Sequence, residues 1–482
     1  MKLKNYLPLA VASLAMVACN NDDEIVNGPD LNNSKAYAAV SISLPTGTET
    51  RAEATVTDPN GDTNALAGER GISTVTLYVV GNDPITIDAA DFTWAAGKGI
   101  AKKAYEVTGK AGITASAYVV INQVQPTGSV PMQWKYFGQT TPLVYNNLVS
   151  KLTGENMFTM FSKAVATVNL KATEGEAIAT GVPAEVTVQR AAAKVLVTDN
   201  KGYLDGDVAV TNGQGTIVQS SLKWYIGNSN RSLYCTPQLN NADPNYTFAD
   251  KDWDDFNNDF EQLSKKDGSW RELDGGGTAL TRLIAVAPKA TTPGTATKAQ
   301  VLYCNENTNA TKEDYKVSNT TYVLLAAQYV PTKLMNSNIG GTADIPTVTS
   351  DGLVDGPTVK GETFYVHKAS GFYFTAAGKT AYETKWGAAA ADKFYEYKDA
   401  KCYYRINLKD TAKNLGVLRN HYYTMAIGDI KGLGSWTDPV NPVNPNIPGG
   451  TEEPAEPENS LVSVNITVEP WALTDMGTVS PL

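Results

Sequence analysis

The last stretch of this 482-residue chain sets the hardest constraint on its folding. Six prolines, at positions 439, 442, 445, 448, 454 and 457, fill residues 437–459 together with several acids. That composition buries nothing and gives a semi-extended tether, about 3.1 Å per residue or roughly 70 Å in all. Behind it the chain turns apolar again: Val462, Val464, Ile466 and Val468 fall on one face of an extended strand, with Ser463, Asn465, Thr467 and Glu469 on the other and Trp471 closing the run. A strand hung on a long tether has to pair with something.

The same period-2 pattern occurs near the start. Ala38, Val40, Ile42 and Leu44 alternate with Ala39, Ser41 and Ser43, so one apolar and one small polar face are expected. A Thr/Gly/Glu loop follows and carries Arg51-Ala52, a basic residue in an exposed, cleavable segment. Loss of the residues up to Arg51 would take a strand out of its sheet and leave an apolar slot flanked by unpaired backbone groups. The terminal strand of another copy has the right pattern to fill it, a head-to-tail mode of strand addition that builds open polymers. Pattern alone equally allows each strand to belong to its own chain's sheets.

Between these ends, short strand patterns alternate with turn signals: Val75 to Val80, Ser116 to Asn122, Val186 to Val188, Val195 to Val197, Ser221 to Ile226, Tyr322 to Tyr329, Phe364 to His367, Tyr403 to Leu408 and Tyr422 to Ile427. No 3.6-residue period is sustained. With 40 Gly, 24 Pro and 24 Tyr, the expected class is all-β, as two β-sandwich domains. The expected division is a signal peptide over 1–18, a propeptide with the removable strand (Val40, Ile42, Leu44) over 19–51, sandwich domains over 52–230 and 231–436, the Pro-rich acidic linker over 437–459, and the donor strand over 460–482.

The N-terminus reads as an address. Lys2 and Lys4 precede an apolar run from Leu7 to Ala18, too short to span a bilayer and suited to a secretory signal. It ends Met16-Val17-Ala18-Cys19, which resembles a lipobox and makes Cys19 the candidate lipidation site, tethering the precursor to the outer membrane. Asn20-Asn21-Asp22-Asp23-Glu24 follows, an acidic patch of the kind that sends such lipoproteins to the cell surface. The remaining cysteines, Cys235, Cys304 and Cys402, are expected as buried small hydrophobes with at most one disulfide.

The segments Tyr37 to Leu44 with Arg51-Ala52, Ala117 to Asn122, Val186 to Val195, Leu418 to Tyr423 running on through Leu433-Gly434, and Val462 to Trp471 occur in the order found in the Bacteroidetes fimbrillins, or type V pilins, and the chain resembles their minor-fimbria shaft subunits. The resemblance implies sandwiches of transthyretin-like, Greek-key type and lipoprotein export at Cys19. It further implies maturation between Arg51 and Ala52 by a trypsin-like, Arg-specific protease, and polymerisation through a donor strand made by Val462, Val464, Ile466, Val468 and Trp471. The implied partners are other copies of the chain, anchor and tip subunits, and a surface receptor. Gln189 departs from the family, where an acid commonly precedes the arginine kept here as Arg190.

Enzymatic signatures are missing: no nucleophile elbow, no H-E-x-x-H, no phosphate loop, and only His367 and His421, read as packed or surface imidazoles. No catalytic residue or cofactor is expected. Asp250, Asp252, Asp254, Asn258 and Glu261 take EF-hand-like spacings, but Asp255 stands where that loop requires glycine, so no metal is expected and a short amphipathic helix is the alternative. Trp224-Tyr225 and Tyr382 with Trp386 are candidate carbohydrate platforms and otherwise core residues. A net charge of −10 argues against nucleic acid. An anchor, tip or accessory protein of the same system, or a surface glycan-binding protein, are the alternatives to a shaft subunit.

Overall fold

A computed structural model describes residues 34–44, 69, 71–95, 97–123, 137, 143–144, 152–154, 157–230, 232–236, 260–261, 283–291, 296–309, 311–315, 319–387, 392–409, 415–436 and 461–470. Cys19, Arg51, Ala52, Trp471, the calcium-type positions 250–258 and the Pro-rich linker lie outside these residues. Strands dominate what is described, and all nine internal strand patterns form strands within one to three residues of their expected ends.

The first core is bounded by a nine-stranded sheet. Its order runs Ile85–Asp88, Thr74–Val79, Thr114–Ile121, Met160–Ser162, Ala184–Arg190, Val40–Ser43, Lys98–Ala101, Phe92–Ala95, with Ala166–Asn169 also pairing Thr114–Ile121. Lys35–Ala38 pairs separately with Tyr105–Thr108. The sequence reads Tyr37 to Leu44 as one strand, whereas two form here, in different sheets, with Ala39 at the crossing. Ala36, Ala38, Val40, Ile42 and Leu44 all enter this core together with Leu77, Val119, Val186 and Val188.

The strand Ala184–Arg190 gives way after Ala191 to Ala192–Asp199, which starts a second system. A four-stranded sheet, in the order Val301–Asn305, Ala192–Asp199, His421–Ile430, Val462–Pro470, faces a six-stranded one in which Tyr322–Pro331 pairs with Gly215–Ile217, Lys223–Gly227 and Lys401–Asn407. Val195, Val197, Tyr423, Met425, Trp224, Leu325, Tyr329 and Tyr404 share the core between them. The other face of the four-stranded sheet, through Leu196, Val301 and Tyr422, packs on the first core. Covered on both sides, Ala192–Asp199 is buried at every position, and Val195, Leu196 and Val197 form a continuous apolar run at its centre. Residues from Ala193 to Ile226 thus pack with the second core, although they precede residue 230.

A five-stranded sheet built around Phe364–His367 carries the eleven-residue helix Ala376–Trp386. Thr375 caps its start by accepting from the Gly378 N–H, and Gly387, at a φ of 91°, ends it. Among the described residues no helix is long and apolar enough to cross a membrane.

One buried ion pair ties the systems together. Lys194 Nζ lies 3.0 Å from the Glu69 carboxylate, with side chains 0% and 2% exposed, and sits over the Tyr422 ring at 4.7 Å. The Tyr303 hydroxyl donates to the same carboxylate at 2.5 Å; burial and that negative charge raise the Tyr303 phenol well above its ordinary range. Glu69 thereby fastens the chain just ahead of Thr74–Val79 to the four-stranded sheet. Removing the lysine leaves a buried, uncompensated charge. Lys194→Met is expected to lower stability by about 3–5 kcal/mol in urea unfolding, and Glu69→Gln in the same chain to restore most of the loss.

Candidate functional site

The alternating strand near the N-terminus lies inside a sheet and not at its margin. Val40–Ser43 runs parallel to Ala184–Arg190, with Ile42 opposite Val186, and antiparallel to Lys98–Ala101, with Ile42 opposite Gly99. Ala184 N–H donates to the Ala39 carbonyl at 3.1 Å and Leu44 N–H to the Gly97 carbonyl at 2.8 Å, while Tyr37 exchanges both of its backbone bonds with Lys171. Val40 and Ile42 are fully buried and Leu44 is 2% exposed. The expected polar face corrects differently: Ala39 and Ser41 are buried too, because a central strand in a closed body is covered on its second side as well. Only Ser43 on that face is half-buried.

Ser43 Oγ donates to Glu185 Oε1 at 2.6 Å, and Lys98 Nζ stands 3.2 Å from Glu185 Oε2. The two flanking strands are thus clasped across the strand between them. The Ser43 hydroxyl first, and Lys98 second, hold the Glu185 carboxyl below its ordinary value. A lowered carboxylate stabilises fully above the unfolded pKa near 4.5 and loses that contribution as pH falls through the folded value. Because both side chains are largely exposed, the effect is under about 1 kcal/mol. Beside the clasp, Gly99 leaves room for the Trp94 ring, whose atoms lie 2.5–2.7 Å from where a Cβ would stand.

Val462–Pro470 is the counterpart, and it is docked within the chain at a sheet edge. Among the described residues it pairs with His421–Ile430 alone, antiparallel, Val468 opposite Tyr423, Ile466 opposite Met425 and Val464 opposite Ile427, with a bulge before Val462 reaches Ile430. The apolar face expected from the sequence is the one turned inward: Val462 is buried, and Val464, Ile466 and Val468 pack half-buried against the second core, while Ser463, Asn465 and Thr467 are exposed. A strand with two neighbours and full burial at one end of the chain is matched by a strand of the same pattern with one neighbour and partial burial at the other.

The remaining candidates are accounted for by packing. His367 is fully buried, with Nδ1 3.0 Å from Ser370 Oγ and Nε2 3.1 Å from the Tyr382 hydroxyl, and burial lowers its pKa. His421 donates its Nδ1–H within its own turn to the Arg419 carbonyl at 2.8 Å. Trp224 and Tyr382 lie wholly inside, so neither aromatic pair offers a flat exposed platform. Cys235, Cys304 and Cys402 are buried, and none of them forms a disulfide among the described residues. Of the calcium-type positions only Glu261 is described, in a short strand with Phe260 that pairs with Ser229–Asn230, so the amphipathic helix does not extend to it. Among the described residues no cluster of acids, histidines or cysteines is placed to hold a metal.

The family model described as "Major fimbrial subunit protein type IV, Fimbrillin, C-terminal" matches residues 395–476, the region holding His421–Ile430 and the strand docked on it. The C-terminal part of the chain thus matches the fimbrillin family. Over 534 aligned residues the chain is 24% identical to the minor fimbrium subunit Mfa1 of Porphyromonas gingivalis, covering 98% of the chain and 99% of the relative. Among solved structures it is similar to the fimbrilin fimA of Porphyromonas gingivalis W83, at 12% identity, 92% and 99% coverage and a TM-score of 0.43. It also aligns with the tip fimbrial protein Mfa3 of Porphyromonas gingivalis, at 11% identity, 91% and 100% coverage and a TM-score of 0.35. The matched family and the minor fimbrium relative are described as fimbrial subunits, structural proteins and not enzymes.

The different burial of the two strands is measurable in the uncleaved chain. Ile42→Ala is expected to lower its stability by about 2–5 kcal/mol, and Ile466→Ala, at a half-buried edge position, by roughly half as much; urea midpoints of the two variants give the comparison.

Proposed function

We propose that this chain is a polymerising shaft subunit, exported as a lipoprotein through Cys19, cut between Arg51 and Ala52 by a trypsin-like, Arg-specific protease, and joined to further copies by donor-strand exchange at the cell surface. The observation that carries this reading is the unequal situation of the two end strands: Val40–Ser43 is paired on both sides, and Val462–Pro470 on one. Loss of the residues up to Arg51 opens the slot between Ala184–Arg190 and Lys98–Ala101, and a terminal strand that moves into it from another copy exchanges one ladder for two.

Magnitudes favour the move. Val464, Ile466 and Val468 go from half to full burial, about 1 kcal/mol each, and several backbone hydrogen bonds are added at about 0.5–1.5 kcal/mol each. The product is a head-to-tail, open polymer, because each copy offers one slot and one strand. On this reading the two cores are two sandwich domains that meet at Ala191, where the Ala184–Arg190 strand passes into Ala192–Asp199. Anchor and tip subunits of the same system and a surface receptor complete the partners. Should the strand stay docked in its own chain after cleavage, the accessory or tip reading takes over.

Purified precursor treated with trypsin is expected to start at Ala52 and to run as a ladder when left unboiled on a denaturing gel. Deletion of residues 461–482 is expected to abolish the ladder without preventing cleavage. A monomer with the new N-terminus would refute exchange.

A further inference from the structure

Laid side by side, the two end strands match position by position. Val40 corresponds to Val464, Ile42 to Ile466 and Leu44 to Val468 on the buried face, and Ser41 corresponds to Asn465 and Ser43 to Thr467 on the other. Resting on the donor-strand reading above, we propose that the terminal strand of one copy enters the slot of the next with the same polarity as the strand it replaces, parallel to Ala184–Arg190 and antiparallel to Lys98–Ala101, and with Thr467 seated in the Ser43 position between Lys98 and Glu185.

Three observations fix direction and register. The two central slot positions, Val40 and Ile42, are fully buried, and same-direction threading returns Val and Ile to them with no change of volume. Reversed threading places Ile466 on the Val40 position and Val464 on the Ile42 position, one methylene too large in the first and too small in the second, and a packed interior resists both. The outer face then decides between slips of two residues, the smallest that keep the apolar side inward. One slip puts Glu469 where Ser43 lies, bringing a second carboxylate onto the oxygen of Glu185 that now accepts a hydroxyl at 2.6 Å. The opposite slip puts Val464 on the fully buried Ile42 position, one methylene short, and Asn465 in place of the Ser43 hydroxyl. Among the same-direction registers, only the unslipped one supplies a hydroxyl to Glu185 and an aliphatic side chain at all of Val40, Ile42 and Leu44.

The register also predicts where replacement stops. Leu461 falls on Tyr37 and Ser460 on the fully buried Ala36, so the match ends near the Ala39 crossing. The donor reproduces the Val40–Ser43 ladder and not the one that Lys35–Ala38 makes with Tyr105–Thr108.

Lys98 is the direct antiparallel partner of Ser43, and directly opposed residues stand 4.5–5.5 Å apart at Cα, within reach of a disulfide. Three full-length chains are to be matured with trypsin and oxidised, each carrying K98C with T467C, N465C or S463C; the positions on the terminal strand are exposed, and Cys235, Cys304 and Cys402 are too buried to compete. The T467C pair is expected to give a ladder that survives boiling without reductant, at least tenfold stronger than the other two. A covalent ladder from N465C would show a slipped register, and one from S463C a reversed strand. Either overturns the proposal while the unboiled ladder shows that exchange itself stands. No unboiled ladder in the parent chain removes exchange and the proposal with it. Should cysteine at these places block assembly, Thr467→Ser and Thr467→Val decide: the first is expected to keep the polymer's resistance to heating in detergent and the second to lower it, and equal resistance counts against the Ser43 position.

Discussion

Much of the first core depends on one short strand held from both sides. Among the described residues, Val40–Ser43 is the only link between the half of the nine-stranded sheet that ends at Ala184–Arg190 and the half that begins at Lys98–Ala101. Both flanks direct backbone N–H and C=O groups at it, and leaving such groups unpaired in a dry interior costs more than the bonds themselves stabilise. Val40, Ile42 and Leu44 meanwhile plug the core from within. The same segment therefore closes a hydrogen-bond ladder and, with Leu44, an apolar cavity.

The second core explains how one end of the chain is prepared while the other is occupied. Ala192–Asp199 continues from the strand that lines the slot and pairs in parallel with His421–Ile430, the strand on which Val462–Pro470 is docked. Slot and terminal strand are joined by a short, fully buried path. The Lys194 to Glu69 pair lies on it, with Tyr422 beneath the ammonium group and Tyr303 on the carboxylate. Charges this deeply buried do little for net stability compared with apolar replacements, but once present they penalise any displacement that separates them. The pair thus favours keeping the chain ahead of Thr74–Val79 in place when residues before it leave.

Where periodicity governs, the sequence was informative. Alternation placed Val40, Ile42 and Leu44 inward at one end and Val462, Val464 and Ile466 inward at the other, because a strand's side chains have no third direction to take. What alternation does not encode is the neighbour. Nothing in Ala38-Ala39-Val40 marks Ala39 as the crossing between two sheets, since alanine is small enough for either environment. Nor does Ser41, a polar residue, announce that its own face is covered. Glu69 and Lys194, separated by 125 positions, carry no local signal; they are found only by folding. The helix Ala376–Trp386 does carry one, in Thr375 at its start and Gly387 at its end, and its Tyr382 packs in the interior, the ordinary place for such an aromatic.

The edge on which the terminal strand lies has a further consequence. Exposed edges invite pairing with any passing strand, and in this chain Val462–Pro470 covers the edge of His421–Ile430. On the donor-strand reading, departure of that strand uncovers the edge it had guarded and part of the surface of Val464, Ile466 and Val468's former partners, Tyr423, Met425 and Ile427. The free energy of exchange is then a difference between a two-sided berth gained and a one-sided berth lost, and it is favourable only while the slot stands open. With Val40–Ser43 in place there is nothing to gain by leaving the edge, so an uncleaved chain keeps its own terminal strand. On that reading control of assembly would follow from the pairing geometry: removal of the N-terminal strand would change the balance for the C-terminal strand of a different copy.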